Sequence, residues 1–454
     1  MPTTRGSRRA AAILTLTGLL AWTLACDNAT PPPAPPPGPK ILTVATGGSH
    51  TCALWDDNSV RCWGGNFYGE LGLGDRDDRG LDSAQLGDAL PAVEVGTGTV
   101  VQLALGEAHT CARFKNGDLR CWGDNSFGQI GVPDMAEVGG EPGQMGEALA
   151  NLELGGKVLS VSAGGYHTCA LIEGGTVKCW GSNDYGQLGQ EDNTDRGALP
   201  GDIENLAAID VGAESIKQVV TGVDHTCVLT VDGDAKCFGS AFYGNLGTGN
   251  TNDRGDEPGE MGEALEAVDL GTKNNVPIRI SSVAAASETT CAILEGGLVK
   301  CWGDNASGQL GIGSSEPRGA RAGEMGNGLP AVDLDGLEVD ELALGAEHVC
   351  ARVSDGSLRC WGSGAYGENG SGAPAALGDD PDELGAALAP VSLGTDLAVV
   401  TFATRSNHTC ALFSNGGVKC WGANDAGQLG LGDDTTRGDD AGEMGDALPF
   451  VRLR

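Results

Sequence analysis

The chain has 454 residues, 75 of them glycine, and aromatic residues make up 5% of it, which is unlike the composition of an ordinary α/β protein. Its 62 Asp and Glu residues outnumber its 28 Lys and Arg residues, which gives a formal charge of −34. That charge repels phosphate backbones and anionic lipid surfaces, and it excludes nucleic acid as a partner.

Residues 1–25 are predicted to be an export signal. Three arginines precede an apolar stretch over residues 10–25 that is too short for a comfortable transmembrane helix. Two cleavage patterns fit: an ordinary secretory signal, and a bacterial lipobox that ends in Cys26 and has Thr23 where Leu, Ile or Val is usual. The sequence therefore predicts an extracytoplasmic protein, either secreted or held in the cell envelope by a lipid on Cys26, with no other membrane attachment.

A spacer is predicted over residues 26–40. Its sequence DNATPPPAPPPGPK favours an extended polyproline conformation and does not build a packed core. The folded domain is therefore expected to span residues 41–454.

The cysteines define a repeat within this domain. The chain has 15 cysteines, which are Cys26 and seven pairs whose members stand ten positions apart. The pairs are Cys52 with Cys62, Cys111 with Cys121, Cys169 with Cys179, Cys227 with Cys237, Cys291 with Cys301, Cys350 with Cys360 and Cys410 with Cys420. Successive pairs recur after 58 to 64 residues, a period typical of stacked or radially arranged units.

Each cysteine pair is predicted to lie directly across a β-hairpin. In the second repeat Cys111 faces Cys121 if residues 115–117 form a three-residue loop, whose last residue takes a left-handed conformation. That residue is Gly or Asn in every repeat, the types that tolerate this conformation: Asn58, Gly117, Gly175, Gly233, Gly297, Gly356 and Gly416. Facing Cα atoms lie about 4.5 to 5.5 Å apart, which a disulfide accepts. In an oxidising compartment we expect one disulfide per repeat, worth on the order of 3 kcal/mol.

Histidines and tryptophans recur at fixed positions beside the cysteines. All six histidines stand two residues before the first cysteine and opposite a glycine, with Thr289 in their place in the fifth repeat: His50, His109, His167, His225, His348 and His408. A tryptophan follows the second cysteine, with Phe238 in its place in the fourth repeat: Trp63, Trp122, Trp180, Trp302, Trp361 and Trp421. We expect the tryptophans to pack between adjacent repeats and the histidines to be structural, with the facing glycine making room for the imidazole.

The repeated phrase resembles that of a known family. Copies such as GEAHTCARFKNGDLRCWGDNSFGQIG and GGYHTCALIEGGTVKCWGSNDYGQLG are similar to the repeat of the regulator-of-chromosome-condensation family, while FGSAFYGNLG and WGSGAYGENG are weaker copies. The resemblance covers residues 41–454 and implies an all-β fold, a seven-bladed β-propeller of four-stranded blades around a central channel. The cysteine pairs and an acidic insertion such as residues 254–271 depart from the family pattern.

The chain ends predict how the ring closes. A short apolar strand such as residues 91–95 precedes each later repeat, and the first repeat lacks one. The chain finishes with an equivalent segment, residues 448–453. We expect this C-terminal strand to complete the first blade, so that no sheet edge is left exposed.

The histidine and two cysteines of a repeat also match the ligand set of an open zinc site. Opposed cysteines in an exported protein oxidise instead, so no metal is expected there. The acidic stretches at 74–82 and 432–443 lack the pattern of a Ca²⁺ loop and are interpreted as solvated loops, with calcium as the alternative. No nucleophile elbow, phosphate loop or carboxylate pair stands out, which indicates a protein without catalytic residues or a cofactor.

The leading hypothesis is a monomeric binding scaffold, exported to the cell envelope, whose loops contact an extracellular or envelope protein or a glycan. A structural surface protein without a specific ligand is the alternative. The family resemblance also implies guanine-nucleotide exchange or inhibition of secreted enzymes, and the export signal argues against the first. Because the repeating residues account for folding, recognition is expected in residues that do not repeat.

Overall fold

The computed structural model of the protein describes residues 39–212 and 215–453. The predicted export signal, Cys26 and nearly all of the predicted spacer lie outside the described residues. Within them, no helix has the length and apolar character needed to cross a membrane. From Pro39 onward the chain folds as one compact unit built almost entirely of β-strands.

Seven antiparallel sheets follow one another along the chain, one for each repeat, and their consecutive strands are named here the inner, middle and third strands of blades 1–7. The inner strands are Ile41–Thr46, Val100–Leu105, Val158–Ala163, Ile216–Thr221, Ile280–Ala286, Val339–Leu344 and Val399–Arg405. The middle strands are His50–Trp55, His109–Phe114, His167–Ile172, His225–Thr230, Thr289–Leu294, His348–Val353 and His408–Phe413. The third strands are Val60–Gly64, Leu119–Asp124, Thr176–Gly181, Ala235–Gly239, Val299–Gly303, Leu358–Gly362 and Val418–Gly422. Inner strands of successive blades are neighbours, and that of blade 7 lies beside that of blade 1, so the sheets form a seven-bladed propeller around a central channel.

Short 3₁₀ helices lie in the connections between blades, at Ser83–Gln85, Gly87–Ala89, Gly146–Ala148, Gly262–Ala264, Gly326–Gly328, Gly385–Ala387 and Gly445–Ala447. A small ribbon of Thr272–Lys273 and Val276–Pro277 precedes blade 5. These connections are glycine-rich and acidic, and they carry little regular structure because such residues are poor strand and helix formers.

The predicted three-residue loop joins the middle and third strands. In blade 2 the Gly117 amide donates to the Phe114 carbonyl over 2.9 Å. Gly117 has φ of 97°, and Asn58, the exception to glycine, has φ of 70°. The predicted hairpin register is therefore confirmed, and it places the two cysteines of each blade opposite one another.

All seven predicted disulfides form inside these hairpins. Their Cα separations are 4.0 to 4.1 Å, slightly closer than the predicted spacing. In blade order the bonds join Cys52 to Cys62, Cys111 to Cys121, Cys169 to Cys179, Cys227 to Cys237, Cys291 to Cys301, Cys350 to Cys360 and Cys410 to Cys420. Each bond links the middle strand of a blade to its third strand, so no disulfide joins two blades.

The predicted fourth strand is mostly reduced to a single bridge. Among the described residues only blade 2 has a fourth strand, Glu137–Val138, paired with its third strand. In the other blades the last glycine of the third strand makes one antiparallel bridge: Gly64 with Arg79, Gly181 with Arg196, Gly239 with Arg254, Gly303 with Arg318, Gly362 with Leu377 and Gly422 with Arg437. The flanking Asp-, Asn- and Gly-rich residues disfavour a longer ladder, so the regular part of six blades is three-stranded.

The C-terminal segment lies between blades 7 and 1. The Val451 amide donates to the Val418 carbonyl of blade 7 over 2.8 Å, and the Arg452 carbonyl accepts from the Gly87 amide over 2.8 Å. Val451 is buried in an apolar cluster shared by the two blades. The prediction of a strand completing blade 1 is wrong, because this segment is not a strand and bonds to the third strand of blade 7. Residues 90–95 bond to the third strand of blade 1 in the same way.

Deletion of residues 446–454 should lower the melting temperature by roughly 5 to 10 °C, because it uncovers the apolar cluster between blades 7 and 1. Circular dichroism on heating measures the effect. The exposed Arg452 side chain offers a matched control, and R452A should melt like the unmodified chain. An unchanged melting temperature after the deletion would show that ring closure does not depend on this segment.

Candidate functional site

A hydrogen bond between a histidine and a threonine joins most pairs of neighbouring blades. His50 Nε2 of blade 1 lies 2.8 Å from Thr110 Oγ1 of blade 2. The ring ends with His408 Nε2 of blade 7, which lies 2.9 Å from Thr51 Oγ1 of blade 1. The other contacts are His109–Thr168, His167–Thr226, His225–Thr290 and His348–Thr409, at 2.8 to 2.9 Å. The six histidines are at most 1% exposed, so their side chains serve contacts between blades.

The threonine hydroxyl decides which imidazole nitrogen carries the proton. Thr110 Oγ1 donates to the Glu70 carbonyl of blade 1 over 3.0 Å. Since the hydroxyl has one proton, it accepts from His50, which therefore carries a proton on Nε2. The Trp122 indole donates to the same Glu70 carbonyl over 2.9 Å, and the other five tryptophans make the equivalent bond to the preceding blade. Histidine, threonine and tryptophan thus form one polar contact at five of these six interfaces, and Phe238 takes the place of the tryptophan between blades 3 and 4.

A glycine three residues before the histidine makes room for the imidazole ring in blades 1 to 4 and 6, whereas Arg405 stands at this position before His408 of blade 7. A Cβ at Gly47 would lie 2.3 Å from His50 Cε1. The prediction that the facing glycine has this role is wrong, because a Cβ at Gly64 would instead meet the Ser49 carbonyl oxygen at 2.3 Å. Gly64 has φ of 104°, so the facing glycine is needed for the backbone conformation.

The interface between blades 5 and 6 keeps the tryptophan contact, from Trp361 to the Gln309 carbonyl, but lacks the histidine, the threonine and the glycine. Thr289 stands at the histidine position, Val349 at the position of the threonine partner, and Ala286 at the position of the glycine. Thr289 donates to the Asp304 carbonyl of its own blade over 3.3 Å, and Val349 is 1% exposed. A buried histidine facing Val349 would lose its partner at a cost of about 1 to 3 kcal/mol, so the replacements fit one another.

Burial keeps these histidines neutral. Desolvation lowers the pKa to about 3 for His50, His109, His167 and His348, and to about 4 for His225 and His408. Groups that gain a proton only at such low pH cannot exchange protons near neutrality. The repeated histidines therefore contribute to structure and not to acid–base chemistry.

The paired cysteines lie in the blade interiors and belong to no binding surface. The second cysteine of each pair stands on the third strand directly before the repeated tryptophan or Phe238. These cysteines are Cys62, Cys121, Cys179, Cys237, Cys301, Cys360 and Cys420. All fourteen paired cysteines are at most 2% exposed and take part in the apolar clusters of the blades. Their role is accordingly to stabilise the hairpins.

The repeated cysteines and histidines do not form zinc sites in this structure. The sulfurs are joined in disulfides, the Nε2 atom of His50 is bonded to its threonine, and the remaining Nδ1 atom is buried. Across residues 39–212 and 215–453, no group of three or more His, Cys, Asp or Glu side chains is arranged to hold a metal ion. In the acidic loops Asp75 pairs with Arg79 at 2.6 Å and Asp433 with Arg437 at 2.8 Å. These carboxylates therefore form ion pairs within their own loops.

Blade 6 differs from the others in its buried loop. In blade 7 Asn424 Nδ2 donates to two carbonyls of the loop after the third strand, and Leu429 is fully buried below it. Blade 6 has Gly364 and Asn369 at these two positions, and Asn369 Nδ2 instead donates to the Ala375 carbonyl over 2.8 Å. A cavity of about 590 Å³ lies between blades 6 and 7, and Asn369 is part of its lining.

Arg405 bridges opposite walls of the central channel. It ends the inner strand of blade 7, and its Nη1 donates to the Ala163 carbonyl of blade 3 over 2.8 Å. Burial lowers the pKa of the guanidinium, and the Glu107 carboxylate acts in the opposite direction. A fixed charge thus lies inside the channel near the turns between inner and middle strands.

One face of the propeller carries aromatic side chains in two loop sets. These sets are the turns between inner and middle strands and the loops that directly follow the third strands, residues 47–49 and 65–71 in blade 1 and their equivalents elsewhere. They meet where the Gly65 amide donates to the Ser49 carbonyl over 2.8 Å. Phe67 and Phe242 are each 71% exposed, and such exposure of large apolar groups marks candidate interaction surfaces. The aromatic residues of the two sets, named here the aromatic face, are Phe67, Tyr68, Phe127, Tyr166, Tyr185, Phe242, Tyr243 and Tyr366.

The rings of the aromatic face are grouped. Phe67 packs edge-on against Tyr68 with a centroid distance of 4.8 Å, and Phe242 packs in the same way against Tyr243 at 4.8 Å. Phe127 of blade 2 lies 5.4 Å from Tyr166 of blade 3. The face therefore presents paired rings on blades 1 to 4.

Carboxylates occupy the same two loop sets. They are Glu70, Glu107, Asp124, Asp184, Asp224, Glu288, Asp304, Glu347, Glu368 and Asp425, and apart from Arg405 these sets contain no Lys or Arg. Burial, reinforced by neighbouring carboxylates, raises the pKa of Asp224 to about 6 and that of Glu288 to about 8. The aromatic face is thus surrounded by negative charge from the remaining carboxylates, while Glu288 is mostly neutral at pH 7.

Known protein families contain the same repeat. The profile of the regulator of chromosome condensation (RCC1) repeat matches one segment in each blade, at residues 41–70, 100–129, 158–187, 216–245, 280–309, 339–368 and 406–428. A second RCC1 repeat profile matches residues 116–171 and 174–229. The chain belongs to the RCC1 repeat family. Its fold is accordingly an RCC1-type propeller, stabilised here by one disulfide per blade.

Relatives in this family share the repeats and differ in length. The ultraviolet-B receptor UVR8 of Arabidopsis thaliana is 29% identical over 423 residues, covering 92% of this chain and 84% of UVR8. The E3 ubiquitin-protein ligase HERC2 of Homo sapiens is 28% identical over 396 residues, covering 87% of this chain and 7% of HERC2. Most of HERC2 therefore has no counterpart here.

Solved structures show the same architecture. Yeast RCC1 (Prp20), solved with Kap60, superposes with a TM-score of 0.60 at 19% identity, covering 89% of this chain and 83% of Prp20. Human WBSCR16 superposes with a TM-score of 0.59 at 20% identity, covering 82% and 90% of the two chains. At these identities the likeness shows the fold alone.

The threonine partners and the aromatic face are not among the sequence predictions. A signal for the threonines exists, since the only repeat without the histidine is followed by the only repeat with valine in place of threonine. The aromatic face has a weaker signal, because an aromatic residue stands before the glycine of the W-G-x-N-x-x-G loop in some repeats only. Which loops share a face becomes clear only from the fold.

Proposed function

We propose that this protein is an exported scaffold of the cell envelope that binds a protein or glycan partner through loops on one face of its propeller. The observation that carries the proposal is the aromatic face, where Phe67 and Phe242 are 71% exposed on a frame whose repeated residues are buried. Rigid frames with exposed, variable loops are suited to recognition.

Two further features support this proposal. Seven disulfides in one chain are typical of proteins that work in an oxidising compartment, which is consistent with export. Yeast Prp20, which has the same fold, is described with Kap60 bound and with binding properties to Gsp1p and histones. No catalytic role is proposed, because the histidines are buried and neutral and the cysteines are oxidised.

Mass spectrometry of the mature protein without reduction tests the export part of the proposal. It is expected to show loss of residues 1–25, no free thiol other than Cys26, and either a lipid on Cys26 or an unmodified N-terminus. A mature chain that keeps residues 1–25 and its thiols would overturn export.

Affinity capture from the extracellular and envelope fractions at moderate salt tests the binding part. A partner in stoichiometric amount is expected. Its persistent absence from both fractions would overturn the scaffold and favour a structural surface protein.

A further inference from the structure

We propose that the aromatic face binds a Lys- and Arg-rich segment of the partner protein. The inference rests on the proposed scaffold function and names the side of the propeller and the chemistry of the partner. The exposed rings indicate where the partner binds, and the carboxylates around them indicate that it is basic.

The rings form an arc over four consecutive blades. Blades 1 and 4 each contribute an edge-on pair, headed by Phe67 and Phe242, and the contact between Phe127 and Tyr166 links blades 2 and 3. Tyr185 of blade 3 is 43% exposed between these groups. An exposed ring face attracts a guanidinium or ammonium group placed over it.

The carboxylates lie among the rings of this arc. Glu107 and Tyr166 line one cavity of about 210 Å³ together with Arg405, and burial with the nearby charges of Glu107 and Asp124 raises the pKa of Tyr166. The Gln187 amide lies 3.5 Å from a carboxylate oxygen of Asp224, the turn residue of blade 4. The Tyr185 amide donates to the same Gln187 side chain over 3.0 Å, so negative charge lies close to both rings of blade 3.

The distribution of charge distinguishes a basic polypeptide from other partners. Since Arg405 inside the channel is the one basic residue of the two loop sets, an acidic partner would meet repulsion over the rest of the face. A neutral glycan would stack on the rings and leave the carboxylates without counter-charge. Lys and Arg side chains satisfy both groups at once, and alternation with small residues lets them reach successive blades.

Fluorescence anisotropy with a labelled 20-residue peptide of alternating Lys and Gly tests the proposal. The F67A/F242A variant should bind this peptide roughly 5- to 30-fold more weakly, because two exposed cation–ring contacts are removed. The matched control is V231A/L298A, which truncates side chains that are 56% and 54% exposed at the hairpin end of the blades. This control should bind within about twofold of the unmodified chain, because its side chains lie away from the face.

Equal affinity of F67A/F242A and the unmodified chain would overturn the proposal, because the peptide would then be held by overall negative charge. Tighter binding of a matching Glu–Gly peptide, or displacement of the Lys–Gly peptide by a neutral maltooligosaccharide, would also overturn it. Capture from the envelope fraction with F67A/F242A distinguishes failure of this binding-site proposal from failure of the proposed scaffold function. A partner that this variant retains leaves the scaffold function standing and removes the aromatic face from it, whereas absence of any partner for the unmodified chain overturns the function itself.

Discussion

The protein should be most stable near pH 7 and should lose stability steeply as the pH falls toward 4. Burial lowers the pKa of six histidines to about 3 or 4, while in the unfolded chain they titrate near 6.5. Their stabilisation is complete above the unfolded pKa, and it is lost below it because the unfolded chain takes up protons that the fold excludes. Each histidine then removes up to about 1.4 kcal/mol per pH unit.

Three carboxylates act in the opposite direction. Burial raises the pKa of Glu70 to about 7, of Asp224 to about 6 and of Glu288 to about 8. A raised pKa in the fold gives stability at low pH that is lost as the pH rises through the folded value. Below about pH 7 the protons taken up by the six unfolded histidines outnumber those held by the three folded carboxyls, so stability rises with pH. Above about pH 7 the carboxyls, chiefly Glu70 and Glu288, have the larger effect and stability falls, which places the maximum near pH 7.

Urea unfolding at pH 4.5, 5.5, 6.5 and 7.5 measures this profile. The control is G47A/H50T/T110V, which copies Ala286, Thr289 and Val349 from the interface between blades 5 and 6 into that between blades 1 and 2. In this variant the free energy of unfolding should change less steeply with pH below pH 6.5, by the contribution of one histidine, about 1.4 kcal/mol per pH unit. T110V alone should cost about 1 to 3 kcal/mol, since His50 loses its partner. A flat profile from pH 4.5 to 6.5 would contradict the neutral histidine interfaces.

The hairpins could be predicted from the sequence because their determinants are local. The ten-residue spacing of Cys111 and Cys121 and the glycine at 117 specify one register, and the structure has that register. The fourth strands could not be predicted in this way. They would form from loops such as GDRDDRG, whose residues are poor strand formers and make few backbone hydrogen bonds to the third strand. There the family resemblance implied more pairing than the single bridges that form.

Contacts between blades could not be predicted in the same way. His50 and Thr110 are 60 residues apart, and nothing in either repeat alone says that one contacts the other. Blade 6 shows the same limit. Its sequence has glycine, Gly364, where blade 7 has Asn424, and reads only as a weaker copy of the repeated phrase. In the structure the Asn369 side chain makes the hydrogen bond to the following loop that Asn424 makes in blade 7. The aromatic face adds a third example, since its residues come from two loop sets that only the finished ring brings together.

Reduction should leave the folded protein unchanged under native conditions and should prevent refolding after denaturation. The disulfide cysteines are at most 2% exposed, so a reductant reaches them only when a blade opens. Each disulfide closes its own short hairpin, the loops do not overlap along the chain, and their effects on the unfolded chain should therefore add. At roughly 3 kcal/mol each, seven disulfides supply on the order of 20 kcal/mol, which exceeds the net stability of about 5 to 15 kcal/mol that is usual for a folded protein.

Tris(2-carboxyethyl)phosphine with and without guanidinium, followed by alkylation and circular dichroism, tests this expectation. Without guanidinium, we expect no alkylation of the fourteen paired cysteines and an unchanged melting temperature. The C227A/C237A variant serves as a graded control and should remain folded with about 3 kcal/mol less stability, because one hairpin alone regains its freedom in the unfolded state. A fully reduced and alkylated chain that refolds and melts like the oxidised one would show that packing between blades, and not the disulfides, holds the propeller together.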